Sequence, residues 1–312
     1  MKIQFMKQNM MRKVIYALVP LILAGIYFYG WRTLLLLLIV TLTACVVEWI
    51  FVRKSTKKIT EAVIVTSILY TLTLPPGIPY HIAMIGIIFG VLFGKMVFGG
   101  FGKNPFNPAL VGRAFIYVNF PNAMTMEWMQ PTSGAFGSLT KYTIDTISQS
   151  TPLLEFRATG NMLSYIQVLF GNVAGSIGET SAILIIIGGL YLLITKTASK
   201  ETVIGLLGSF IITSGTLFLM GVSEIPNPLY GMLAGGLLFG TFFMATDPIS
   251  SPKTKEGKYI YGAIIGLVTV IIRGFALFAG GMMFAILIGN TFAPLIDELV
   301  KMFKGRERRQ NG

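Results

Sequence analysis

Long apolar runs free of charge recur from one end of this chain to the other, and nothing constrains its fold more. Runs such as Leu34–Val47 belong to stretches long enough to cross a hydrocarbon core of about 30 Å. In that medium every backbone N–H and C=O must be paired within the protein, so only helices or a closed barrel can span it. A barrel would show segments of roughly ten residues alternating apolar and polar. Leu34–Val40 shows no alternation, which selects helices. Composition agrees: 54% of the 312 residues are hydrophobic and 12% charged, against roughly 25% charged in soluble domains. The expectation is an all-α integral membrane protein of about ten transmembrane helices, some short or broken, with one long extracytoplasmic loop.

The runs predict helices near 14–30, 33–52, 60–74, 80–98, 108–120, 180–196, 202–220, 229–246, 259–272 and 277–297. The third stops at Pro75-Pro76, and the fifth is bounded by Asn107-Pro108 and Pro121. Short spans at membrane depth are tolerated where they line a cavity or pack within protein. The organisation predicted is helices 1–5 over 1–120, a loop over 121–179, helices 6–10 over 180–300 and a basic tail over 301–312. The basic start and apolar run from Val14 resemble a signal peptide, but a second apolar run follows with no small-x-small cleavage site, so the first helix is expected to be retained. Within the loop, Met162–Phe170 has the pattern of an interfacial amphipathic helix. At an offset of 150, Tyr80, Gly86, Phe89-Gly90, Phe93 and Gly112 match Tyr230, Gly236, Phe239-Gly240, Phe243 and Gly262, which suggests related halves running in the same direction.

Charge orients the bundle. With the N-terminus in the cytoplasm, twenty of the 25 Lys and Arg fall on the cytoplasmic side, and only Arg32, Lys141, Arg157 and Arg273 fall outside. Arg113 lies in the fifth span. That asymmetry is the positive-inside pattern, with both termini cytoplasmic. It accounts for the +12 net charge without nucleic acid, the basic tail reading as a flank facing lipid headgroups.

One cysteine and one histidine exclude an internal disulfide, an iron–sulfur cluster and a bis-histidine haem held by this chain alone. If the protein handles electrons, an organic cofactor must carry them. Three polar constellations interrupt the apolar background. In Gly99–Ala109, two Asn-Pro pairs break the helix at a cytoplasmic boundary. On composition the first reading is a capped turn, Asn107 as N-cap with Pro108 at the first helical position; the alternative is that the Asn104 and Asn107 amides hydrogen-bond a planar heteroaromatic ligand that both donates and accepts. In Met244–Pro252, Asp247 ends an apolar helix at the terminus where the macrodipole disfavours a carboxylate. Such an acid is a functional candidate or the start of an Asx-turn. The third, Asp145–Leu153, is a hydroxyl-rich stretch of the outside loop. Glu48 reads either as an ion-coupling residue or as a helix-end carboxylate paired with Arg53 or Lys54.

Together, in this order and on these sides, the segments resemble the RnfD family of the Rnf ion-translocating electron transport complex, and its relative NqrB of the sodium-translocating NADH:quinone reductase. The resemblance rests on GKNPFNPALVGRAF (102–115), MATDPISSP (244–252) followed by GKYIYG (257–262), and FAILIGNTFAPLID (284–297). The length of 312 and short N-terminus look more like RnfD than the longer NqrB. In that family a threonine of a D-x-x-S-G-A-T-type motif carries FMN through a phosphoester. The resemblance puts Thr151 in that role, with Asp145 and Ser148 at matching positions, while Gln149 and Ser150 depart from the usual Gly and Ala. Ser150 is a second hydroxyl beside the expected acceptor. The resemblance also implies a noncovalent riboflavin, carried onto Asn104, Asn107 and Asp247.

On this reading the chain is a flavin-carrying subunit of a bacterial cell-membrane ferredoxin:NAD⁺ oxidoreductase, relaying electrons coupled to Na⁺ or H⁺ translocation. Thr151 would lie on the outer side. The chain would act with the other Rnf subunits (RnfA, RnfB, RnfC, RnfE and RnfG) and need a flavin transferase for maturation. It would need no general base or nucleophile of its own. The rival is a transporter or channel without covalent flavin, in which Glu48, Asp247 and Asp297 line an ion path.

Overall fold

A computed structural model describes residues 4–54, 58–132, 137–143, 150–276 and 281–310, with side chains described through 304. The protein is an all-α membrane protein whose one sheet, among the described residues, is a parallel pair of three-residue strands, β1 (Gln4–Met6) and β2 (Lys58–Thr60).

Helices α1 (Asn9–Tyr29) and α2 (Arg32–Val52) form a hairpin through Gly30 and Trp31. Along α2 the buried residues Thr33, Leu36, Val40, Ala44 and Glu48 make a single stripe, while Leu35, Leu38, Leu42 and Val46 are exposed. An apolar helix that turns most of its circumference outward has lipid as its natural surroundings, since acyl chains are as apolar as leucine. Among the described residues five helices are long and apolar enough to cross a membrane: α1, α2, α10 (Lys200–Leu219), α13 (Lys255–Phe275) and α14 (Met282–Gln310), the last through Lys304.

The short spans lie between them. Helix α3 (Glu61–Leu72) is almost wholly buried, and the chain leaves it at Pro75-Pro76 as a non-helical strap. Arg32 satisfies that strap, donating to the carbonyls of Pro76, Gly77 and Ile78 while lying 4.8 Å over the Tyr80 ring. Helix α4 (Tyr80–Val91) continues into a π-helical turn, Leu92–Met96, and α5 (Pro108–Asn119) returns. The segment between α5 and α9 (Ala182–Ile194) contains α6 (Pro121–Thr125), α7 (Pro152–Thr159) and α8 (Tyr165–Phe170). The amphipathic stretch expected over Met162–Phe170 shortens to α8, with Val168 buried and Ile166 and Phe170 exposed.

Two expectations need correction. The eighth span is broken: α11 (Pro228–Leu233) and α12 (Leu237–Phe239) are separated at Ala234–Gly236, where Gly235 takes a φ of +71°. The carbonyls freed by the break accept from buried Arg273, which donates to Gly231 and Ala234. A π-helical turn, Gly240–Met244, completes this span. The tenth span begins at Met282 and runs through Gln310, so most of the basic segment extends a helix. In the first half α2 packs on α4 and α4 on α5; in the second α10 packs on α13 and α13 on α14.

Helices α4 and α5 approach closely through small residues. A Cβ at Gly112 would lie 2.5 Å from the Gly86 carbonyl oxygen and 3.4 Å from the Gly90 Cα. Gly112→Leu is therefore expected to cost about 1–3 kcal/mol through overpacking, read as a lower thermal midpoint in detergent. An unchanged midpoint would contradict the close approach.

Candidate functional site

Two cavities lie toward opposite ends of the helices, and they gather most of the candidate residues described. The first is a narrow cavity of about 60 Å³, smaller than the roughly 300–1,000 Å³ of ordinary small-molecule sites. Its lining includes the start of α1, the first half of α3, Lys95, Phe101, Asn104, Asn107, Phe242, Phe243 and Asp247. The Asn-Pro loop and the Asp-Pro loop, far apart in sequence, thus meet at one site.

The local geometry of each candidate is also that of a turn. Asn107 caps α5, its side chain accepting from Ala109 N at 3.0 Å with Pro108 following. Asn104 donates to the Phe106 carbonyl at 3.0 Å. Asp247 closes an Asx-turn, accepting from Ile249 N at 3.0 Å and from the Ser250 hydroxyl at 3.1 Å. Burial pushes the Asp247 carboxyl above the usual carboxylate range, against these two bonds. Asn290 on α14 holds both loops: its Oδ1 accepts from Asn107 N at 3.3 Å, and its Nδ2 donates to the Ser250 carbonyl at 3.2 Å and the Tyr261 hydroxyl at 2.7 Å. Capping and cavity lining are compatible roles, because a cap fixes the loop that presents the ligand-facing edge.

Glu48 does not pair with Arg53 or Lys54. Its carboxylate accepts from Lys95 Nζ at 2.8 Å, and Thr60 bridges the two, donating to Glu48 at 2.7 Å and accepting from Lys95 at 2.8 Å. Lys95 and Glu48 are 2% and 1% exposed, so Lys95 is no loop charge but half of a buried ion pair against the first cavity. Asp297 caps the next break, accepting from Lys253 N at 2.7 Å and Thr254 N at 2.9 Å.

The second cavity is a cleft of about 200 Å³. Thr151 lies on its wall, with Arg113, Tyr117, Trp128, Glu179 and Met282 among its neighbours. Thr151 occupies the N-cap position of α7 yet makes no side-chain cap bond. It is half-buried, whereas Ser150 is exposed. Asp145 and Ser148 lie outside the described residues. One wall is a part of the long loop that dips back into the bundle: Ile177 N donates to Leu74 O at 3.1 Å and Gly178 N to Leu72 O at 2.7 Å, filling the carbonyls left at the end of α3. This places Glu179 3.6 Å from Arg113, with the Ser176 hydroxyl donating to Glu179 at 2.8 Å.

The two cavities share walls. Pro108 lines the first and Leu110 the second; Phe242 and Phe243 line the first, and Gly240 and Met244 the second. About one helical turn of α5 and the second π-helical turn stand between them, and such turns concentrate at functional sites.

Lys95 and Glu179 lie outside the quoted motifs, and Arg113 and Asn290 lie inside them without a role assigned from sequence. The available signal for Lys95 and Arg113 was position, an ionisable residue inside an apolar span. The sequence pattern of the NQR2, RnfD, RnfE family matches residues 3–304. The chain belongs to this family. The NqrB protein of the Na(+)-translocating NADH-quinone reductase of Ectopseudomonas mendocina is 41% identical over 260 residues, covering 81% of this chain and 63% of that protein. The corresponding protein of Klebsiella pneumoniae (strain 342) is 38% identical over 272 residues, covering 85% and 65%. The chain thus spans a little under two thirds of the length of the curated relatives it matches. Both cavities lie within the stretch that matches the NQR2, RnfD, RnfE family.

Proposed function

We propose that this chain is a flavin-carrying membrane subunit of an ion-translocating oxidoreductase complex, and that the complex is of the Rnf type, exchanging electrons between ferredoxin and NAD⁺. FMN would be joined through its phosphate to the Thr151 hydroxyl by a flavin transferase. The single observation that carries this reading is the position of Thr151: a half-buried hydroxyl unused as a helix cap, on the wall of the larger of these two cavities. The residues fit the group, since the cleft pairs apolar and methionine surface with one guanidinium. A riboflavin in the first cavity would meet the loop amides of Asn104 and Asn107 and the Asp247 carboxyl.

A bound flavin supplies the electron-accepting chemistry, and the protein supplies the rest. The caps on Asn107, Asp247 and Asp297 fix the broken helix ends around the first cavity, and the dipping segment around Ile177 closes the second against the bundle. The shared wall would keep the two ring sites close while separating them from bulk water. Partners would be the remaining Rnf subunits, which must supply the iron–sulfur and nucleotide sites. The basic loops would face the cytoplasm and Thr151 the outside.

A transporter reading without covalent flavin draws on the broken α11–α12 span, a feature frequent in transporters. Mass mapping separates the two. A digest of the chain from the native membrane is expected to carry FMN mass on the peptide containing Thr151, and Ser150→Ala is expected to leave its yield unchanged. An unmodified peptide would remove the flavin reading.

A further inference from the structure

Arg113 stands out among the charges of the second cavity. It lies in the apolar α5 with its side chain 16% exposed, and its Nε is buried with no hydrogen-bond partner among the described residues. Its ion pair with Glu179 is 3.6 Å long, beyond the range of a good hydrogen bond. Glu179 is better satisfied, because Ser176 donates to its other oxygen at 2.8 Å. An intramembrane guanidinium left short of partners is costly unless an acceptor completes it. Arg113, Glu179 and Thr151 line one cleft.

We infer that Arg113 sets the reduction potential of the flavin carried by Thr151, as the cation that counters the negative charge the ring gains on reduction, with Glu179 as its opposing partner. The inference rests on the covalent-flavin reading above. Two electrons and one proton convert the oxidised ring into a reduced ring bearing one negative charge, the electrons arriving from the reduced iron–sulfur carriers of the partner subunits. In a poorly solvated cleft a fixed cation favours that anion, and a fixed carboxylate disfavours it. Both act on the equilibrium between the two forms of the ring.

The test is a redox titration of the covalent flavin in the assembled complex for the native chain, Arg113→Gln, Arg113→Lys and Glu179→Gln. Arg113→Gln is expected to disfavour the reduced form at least tenfold, which is about 30 mV downward for a two-electron couple. Glu179→Gln is expected to move the potential upward by a similar factor, and Arg113→Lys to stay within about threefold of native, about 15 mV. Opposite signs for the two charge removals separate this role from mere support of the cleft. If Arg113→Gln fails to assemble, the upward shift in Glu179→Gln still decides the matter. Covalent flavin retained with an unmoved potential in Glu179→Gln would overturn the inference. A native chain without covalent flavin would overturn the reading beneath it.

Discussion

Lys95→Met is expected to destabilise the protein by about 3–5 kcal/mol, because it leaves Glu48 as a buried charge with no cation. The pair is 2.8 Å apart and nearly sealed from solvent, with Thr60 bonding both partners. A buried pair is not itself strongly stabilising, since desolvation of the two ions offsets most of their attraction. The double variant Lys95→Met with Glu48→Gln should therefore regain most of the loss. Thermal midpoints in detergent for the two singles and the double measure the coupling. A double variant as unstable as the sum of the singles would mean that Lys95 and Glu48 act independently. The same pair bears on ion coupling: Glu48 is a buried carboxylate whose charge is held by Lys95, and Lys95 lines the first cavity.

Much of the fold was legible because lipid imposes a simple rule. Apolar runs had to be helices, and their flanking charges suggested direction, so α1, α2, α10 and α13 lie within a few residues of their expected bounds. The breaks were partly legible. Pro75-Pro76 and Asn107-Pro108 announce the short α3 and α5, but no proline marks Ala234–Gly236, and that break depends on Arg273 arriving from α13 to satisfy the freed carbonyls. The extension of α14 through Gln310 was hidden because a basic segment after an apolar run reads equally as tail or helix. The offset of 150 matched glycines and phenylalanines that recur throughout this chain.

The sites divide in the same way. Asn104, Asn107 and Asp247 were visible as helix breaks, and their meeting at one cavity is a tertiary fact that Asn290 enforces from α14. Lys95 falls inside the predicted span 80–98, where hydropathy alone assigns it no partner. It is a buried partner because the π-helical turn Leu92–Met96 lies against α2 and presents its amine to Glu48. Arg113 and Glu179 lie far apart in the chain and meet only because the segment around Ile177 folds back onto α3.

Attachment of the flavin to Thr151 is tested most directly by in-gel fluorescence. The native chain, co-expressed with a flavin transferase and run on a denaturing gel, is expected to show a fluorescent band. Thr151→Ala is expected to abolish it entirely while leaving the protein band in place, because Thr151 lends no side-chain bond to α7 and its loss should cost little stability. Ser150→Ala should keep the signal. A dark native band would contradict the account and favour a transporter without covalent flavin, and a fluorescent Thr151→Ala band would contradict the assignment of the linkage to Thr151.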